Sequence, residues 1–231
     1  MNRVLPVARL MFVNWPSNLG WPWGILATSF LINLALFWSL QEQPDVEPTT
    51  GGLLSIYVVM FVACINSIAQ DFPFVIGLGV TRRTFYLANV TQFTAQSLVY
   101  AVALYLLALL ERATDGWGLN LKFFGLPLLL TDNPLVGILA YAMPFLLLGF
   151  LGIFITVIYK RFGVNGMFTL TLASVLGFGG AAVVITWQGW WTATWNWFAD
   201  QPSAMLLLGW PALLVLPLAG VSYLAIRRAQ P

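Results

Sequence analysis

Leu135-Val-Gly-Ile-Leu-Ala-Tyr-Ala-Met-Pro-Phe-Leu-Leu-Leu-Gly-Phe-Leu-Gly-Ile-Phe-Ile-Thr-Val-Ile158 runs without a single charged side chain. A helix rises about 1.5 Å per residue, so roughly 20 apolar residues cross the 30 Å hydrocarbon core of a bilayer. This run is long enough. It is continuously apolar, whereas a barrel strand alternates apolar and polar side chains over about ten residues, so it reads as a helix. Working outward, five further runs read the same way: Trp23 to Leu40, Leu53 to Ala69, Phe93 to Leu110, Met167 to Trp187 and Ala204 to Ile226. The expectation is an all-α integral membrane protein with six transmembrane helices, forming one transmembrane domain over residues 1–231.

Composition agrees. Of 231 residues, 60% are hydrophobic and 8% charged, whereas a soluble domain carries about 25% charged residues. The net charge of +2 offers no basic block that could follow a phosphate backbone, so nucleic acid is not an expected partner. The absence of histidine removes Ser-His-Asp triads, Cys-His pairs and His-ligated metal sites. Cys64, the single cysteine, lies in an apolar run and reads as a small hydrophobe. No catalytic or metal-binding set emerges, and an enzyme is not expected. Arg3 and Arg9 are separated from the first long apolar run by Pro6, Pro16 and Pro22, so no cleaved signal peptide is expected.

Orientation follows from lysine and arginine, which favour cytoplasmic loops. With both termini inside, Arg3, Arg9, Arg82, Arg83, Lys160, Arg161, Arg227 and Arg228 fall on the cytoplasmic side, and only Arg112 and Lys122 fall outside. Glu42, Asp45, Glu47, Glu111, Asp115, Asp132 and Asp200 would all be external. Trp187, Trp190, Trp191, Trp195 and Trp197 cluster between the last two runs, either as an interfacial aromatic belt or as a short helix capping a path from outside. Lys122 to Leu130 is a second short segment of that kind, and Arg3 to Met11 suits a helix lying in the cytoplasmic interface.

The segment Gln70-Asp-Phe-Pro-Phe-Val-Ile-Gly-Leu-Gly-Val-Thr-Arg-Arg-Thr-Phe-Tyr-Leu-Ala-Asn89 is expected to form a loop over 71–89. Asp71 can N-cap a short cytoplasmic helix with Pro73 in its first turn, Gly77 and Gly79 can end it, and Thr81 can cap the next helix. Its apolar residues need cover, from the membrane interface or from a cytoplasmic protein.

Phe72-Pro-Phe-Val-Ile-Gly-Leu-Gly-Val-Thr-Arg-Arg-Thr-Phe-Tyr-Leu87 and Leu148-Gly-Phe-Leu-Gly-Ile-Phe-Ile-Thr-Val-Ile-Tyr-Lys-Arg-Phe-Gly163 together resemble permease subunits of ABC-2-type transporters, particularly those of actinobacteria. That resemblance implies a plasma-membrane exporter subunit that pairs with a second permease copy or a paralogue and with separate ATP-binding cassette subunits. ATP and Mg would sit on those partners and no cofactor on this chain. It also implies that Asp71, Phe72, Pro73, Phe74, Ile76 and Gly77 belong to a coupling helix seated against the ATPase, with Thr81, Arg82 and Arg83 beside it. Arg82 and Arg83 read equally as anchors to anionic lipid.

Asn66 and Gln70 are four apart, as are Gln92 and Gln96, so each pair shares a helix face. Interhelical hydrogen bonding and a translocation path lined by amides are the two readings. No carboxylate or arginine lies deep in a run, which argues against an ion-coupled carrier. The expected function is export of an amphipathic drug, lipid or peptide by alternating access. The alternative is the substrate-capture subunit of an ATP-dependent importer.

Overall fold

The computed structural model describes residues 15–40, 49–129, 131 and 133–227. The Arg3 to Met11 segment, and with it Arg3, Arg9, Glu42, Asp45, Glu47, Asp132 and Arg228, lies outside the described residues. Among the described residues the regular structure is all helix, with no strand: α1 is Trp15–Ser39, α2 Leu54–Gly77, α3 Arg82–Ala113, α4 Pro134–Trp187, α5 Trp191–Ala199 and α6 Trp210–Ile226. A tight turn with positive φ at Asp115, Gly116, Trp117, Gly118 and Asn120 follows α3, and a short π-helical turn at Met205–Gly209 precedes α6. Thr49 and Lys122 meet in an isolated β-bridge.

Five helices are long and apolar enough to cross a membrane: Gly20–Ser39, Leu54–Gly77, Arg82–Ala113, Pro134–Trp187 and Met205–Ile226. The chain is a multi-pass membrane protein. Six separate runs were expected, and the difference lies in α4, which joins the fourth and fifth of them into 54 residues. At 1.5 Å per residue a straight helix of that length would reach roughly 80 Å, well over twice the hydrocarbon thickness. It is not a regular helix throughout. Gly163 has φ 63° and ψ −153°, a combination almost confined to glycine because a Cβ would collide with the neighbouring backbone. The break occupies one residue and helical hydrogen bonding resumes beyond it, so no loop separates the two runs. A Cβ at Gly163 would meet nothing within 4 Å. Gly163→Ala is therefore expected to cost about 1–3 kcal/mol from backbone strain alone, read as a lower thermal midpoint in detergent. An unchanged midpoint would show that the break does not depend on this conformation.

The core gathers on the first half of α4, and α4 as a whole packs against α2, α3 and α6. Gly137, Ala140, Tyr141, Phe145, Phe150, Ile153 and Val157 are buried there. Rings tie the layers together: Tyr57 lies 4.4 Å from Phe145, and Tyr100 lies 5.8 Å from Phe145 and 5.4 Å from Trp23. Beyond Gly163 the helix turns apolar side chains outward, with Phe168 73% and Phe178 80% exposed. Such a surface suits lipid, where apolar exposure carries no hydrophobic penalty.

The α2–α3 corner departs from the sequence expectation. No separate short helix begins at Asp71, because α2 continues unbroken to Gly77 with Pro73 inside it. The Asp71 carboxylate accepts a 2.6 Å hydrogen bond from the Ser67 hydroxyl, one helical turn back, instead of capping free amides. Pro73 lacks only the one N–H that would bond to Ala69, a small loss near a helix end that is packed on α3. The turn comes at Gly79 (φ 77°), and Thr81 caps α3 by accepting from the Thr84 amide at 3.2 Å.

The nine-residue α5 lies within the tryptophan cluster and buries none of its side chains. Trp197 alone among the cluster stacks on other rings, Phe198 at 4.9 Å and Trp210 at 5.4 Å. Lys122 to Leu129 is not a helix but an irregular strap.

Candidate functional site

Two polar constructions stand out in an otherwise apolar bundle. The first lies between α2 and α3. Met60, Cys64 and Ser67 recur at helical spacing along one face of α2, and Asn89, Gln92, Phe93 and Gln96 do so along the facing side of α3; with Ala63 they line a partly open cavity of about 40 Å³. Asn89 is 7% and Gln92 8% exposed. The Gln96 side-chain nitrogen donates to the Tyr100 hydroxyl at 3.3 Å and approaches the Met60 sulfur at 3.9 Å. Gln92 Oε1 is buried with no hydrogen-bond partner. The floor is tight: the Cys64 thiol points to the Gly149 carbonyl at 3.7 Å, and the Phe93 ring lies directly against the Gly149 α-carbon.

Of the amides picked from the sequence, the structure brings Gln92 and Gln96 to this crevice. Asn66 and Gln70 are exposed on a neighbouring face of α2. Ser67, Cys64 and Asn89 take the places beside Gln92. Their spacing was visible, since Ser67 lies four residues before Asp71 and Asn89 three before Gln92. Which face of α2 turns inward was not, because Asn66 and Ser67 are both small polar residues in an apolar run.

The hairpin end carries the residues singled out for partner contact, in very different settings. Phe72 is 1% exposed and edge-on to Phe85 at 5.3 Å. Ile76 is half-buried, as is Asp71. Pro73, Phe74, Gly77, Thr81 and Arg83 are exposed, Phe74 at 68%, and neighbouring Leu78 is 60% exposed. Arg82 reaches across to α6 and donates to the Arg227 carbonyl at 3.2 Å, placing a cation at the negative end of the helix dipole. Tyr86, one turn further along α3, donates to the Ala219 carbonyl at 2.7 Å. These bonds lock the hairpin to the last helix.

Comparison with family models, curated proteins and solved structures returns no match. What the site does is therefore read from its own side chains.

The second construction, at the opposite end of α3, was not anticipated. Glu111 is 3% exposed, and its carboxylate accepts from the backbone amides of Phe123 (3.1 and 3.2 Å), Phe124 (2.9 Å) and Gly125 (2.7 Å) and from the Trp117 indole (3.2 Å). The expected short helix over Lys122 to Leu130 does not form across the described residues 122–129, which run instead as a strap whose amides at 123–125 are held by this side chain. Phe30 of α1 packs into the same knot, 5.1 Å from Trp117, 5.2 Å from Phe123 and 5.4 Å from Phe124. Tyr141 of α4 donates to the Phe124 carbonyl at 2.6 Å. One carboxylate thus fastens the strap across α1, α3 and α4.

Proposed function

We propose that the chain is the membrane permease subunit of an ATP-driven ABC exporter, moving an amphipathic drug, lipid or peptide by alternating access. ATP is hydrolysed on separate cassette subunits, and a second permease copy or paralogue completes the pathway. In this reading the two halves of α4 each cross the bilayer with Gly163 at the turn, which makes six crossings. Lys160, Arg161, Arg227 and the α2–α3 hairpin face the cytoplasm of a bacterial plasma membrane. The strap and the tryptophan helix α5 face outward, where the tryptophan side chains meet the lipid interface.

The observation that carries this reading is that one helix pair owns both an apolar projecting tip and a polar interior crevice. Phe74 and Leu78 are exposed beside the exposed Arg83, a set that suits an apolar contact with a charged rim on an ATPase. A push at that tip moves the helices whose facing sides line the crevice. Phe72 is excluded from the contact by its burial, and Arg82 is engaged with α6, so Phe74, Leu78 and Arg83 are the residues assigned to the ATPase.

The test is co-purification. The wild-type chain solubilised from its native membrane is expected to bring down a chain with Walker-type ATPase activity, and Phe74→Glu with Leu78→Glu is expected to release it. Because both side chains are exposed, stability should change by about 0.5 kcal/mol or less. Retention of the ATPase by the double variant would remove the hairpin from the interface. Tight binding of a small solute by the purified chain alone, with no ATPase, would favour the importer instead.

A further inference from the structure

The crevice between α2 and α3 contains an imbalance that the transport reading does not use. Gln92 is more than nine-tenths buried and lines the cavity, yet its carbonyl oxygen has no donor. An amide oxygen left bare in an apolar interior is costly, because it has given up its hydrogen bonds to water without replacement. Ser67 lines the same cavity, and its proton is committed to Asp71 at 2.6 Å, so its oxygen offers only lone pairs. Two acceptors thus border a space in which the structure supplies no donor to Gln92. The cavity measures about 40 Å³, and a water needs roughly 10–15 Å³ of such space. It is large enough for water and too small for a whole drug-sized molecule.

We propose that this crevice is a binding site for a neutral hydroxyl group, filled by water in the resting protein and open to the hydroxyl end of an uncharged ligand. A hydroxyl both donates and accepts, so it satisfies the Gln92 amide in either orientation of its oxygen and nitrogen. A cation is disfavoured, because no carboxylate lines the cavity: Met60, Ala63, Cys64, Ser67, Asn89, Gln92, Phe93 and Gln96 are all neutral, and a charge stripped of water needs a partner. Asp71, the nearest acid along α2, is already engaged by Ser67. The proposal stands on the crevice alone and holds whether or not the chain transports anything.

The experiment uses the full chain in lipid bilayers with ¹⁵N-labelled glutamine and follows magnetisation transfer from water to side-chain amides. The Gln92 resonance is the one lost in Gln92→Leu, or in the shorter Gln92→Asn if the first variant does not fold. Exposed Gln188 serves as the hydrated reference. The expected result is a Gln92 build-up within about threefold of Gln188, as for an amide with water in its first shell. A build-up at least tenfold slower, with Gln188 normal, means a dry crevice and overturns the proposal. A second arm adds hexan-1-ol to bilayers of deuterated lipid in ordinary water and reads transfer from the alcohol's methylene protons to the side-chain amide. Transfer from the alcohol to Gln92 shows a ligand hydroxyl in the site, whereas no transfer at saturating alcohol overturns the ligand half and leaves water as the sole occupant. Failure of the ATPase to co-purify touches neither arm.

Discussion

Replacing Glu111 by glutamine is expected to destabilise the protein by about 2–4 kcal/mol, because charge-assisted hydrogen bonds at a buried carboxylate are among the strongest a protein makes. The backbone amides of Phe123, Phe124 and Gly125 and the Trp117 indole all donate to this carboxylate. A glutamine keeps one oxygen and turns an NH₂ group toward donors that need an acceptor, so at least one backbone amide is left bare. Shortening to aspartate keeps the charge but withdraws it from the strap and is expected to restore little. The change should be local before it is global. Amides 123–125 should exchange with deuterium at least tenfold faster in Glu111→Gln, while amides in the middle of α2 and α3 keep their protection until the whole bundle opens. Phe30 and Tyr141 lose their partners in the strap as it loosens, so the melting transition should fall as well. Equal exchange at 123–125 in the two proteins would show that the carboxylate is not what holds the strap.

The second large effect is expected at Gly149. The Phe93 ring occupies the space into which any Cβ at this position would project, and Phe93 is 6% exposed with little room to retreat. Gly149→Val is expected to cost about 3 kcal/mol, at the upper end of overpacking penalties, since the added branches meet an aromatic ring rather than a flexible chain end. The clash also bears on the crevice, because Phe93 lines it and the Gly149 carbonyl faces the Cys64 thiol. A double-mutant cycle separates overpacking from any backbone effect: Phe93→Leu should be destabilising alone yet recover part of the loss when combined with Gly149→Val. Strict additivity of the two substitutions would mean that the ring contact is not the cause.

Thr81 and Asp71 show how far local signals reach. Both can cap a helix. Thr81 does cap α3, since Gly79 turns the chain just before it and frees the amides that a cap must satisfy. Asp71 has no such turn in front of it. Phe72 and Val75 are buried at helical spacing, and keeping them on one face of α2 outweighs starting a new helix. Gln92 and Gln96 reached the crevice as their shared face suggested, but Asn66 and Gln70 did not, because α2 presents Met60, Cys64 and Ser67 to α3 instead. Glu111 was the least legible. Its backbone partners lie 12 to 14 residues further along in a segment whose amides have no recognisable pattern, and nothing in the residue types announces that three successive N–H groups converge on one side chain.

The long uncharged stretch from Leu135 to Ile158, with the other apolar runs, determined by itself that the chain is helical and crosses a membrane. In hydrocarbon every backbone N–H and C=O must find a partner inside its own segment, so length and hydropathy suffice. Where α2 ends, which polar face of it turns inward and what fastens the strap were decided only by tertiary structure. Each depends on burial against another helix or on hydrogen bonds between residues brought together by folding, and these are properties that no single run of sequence contains.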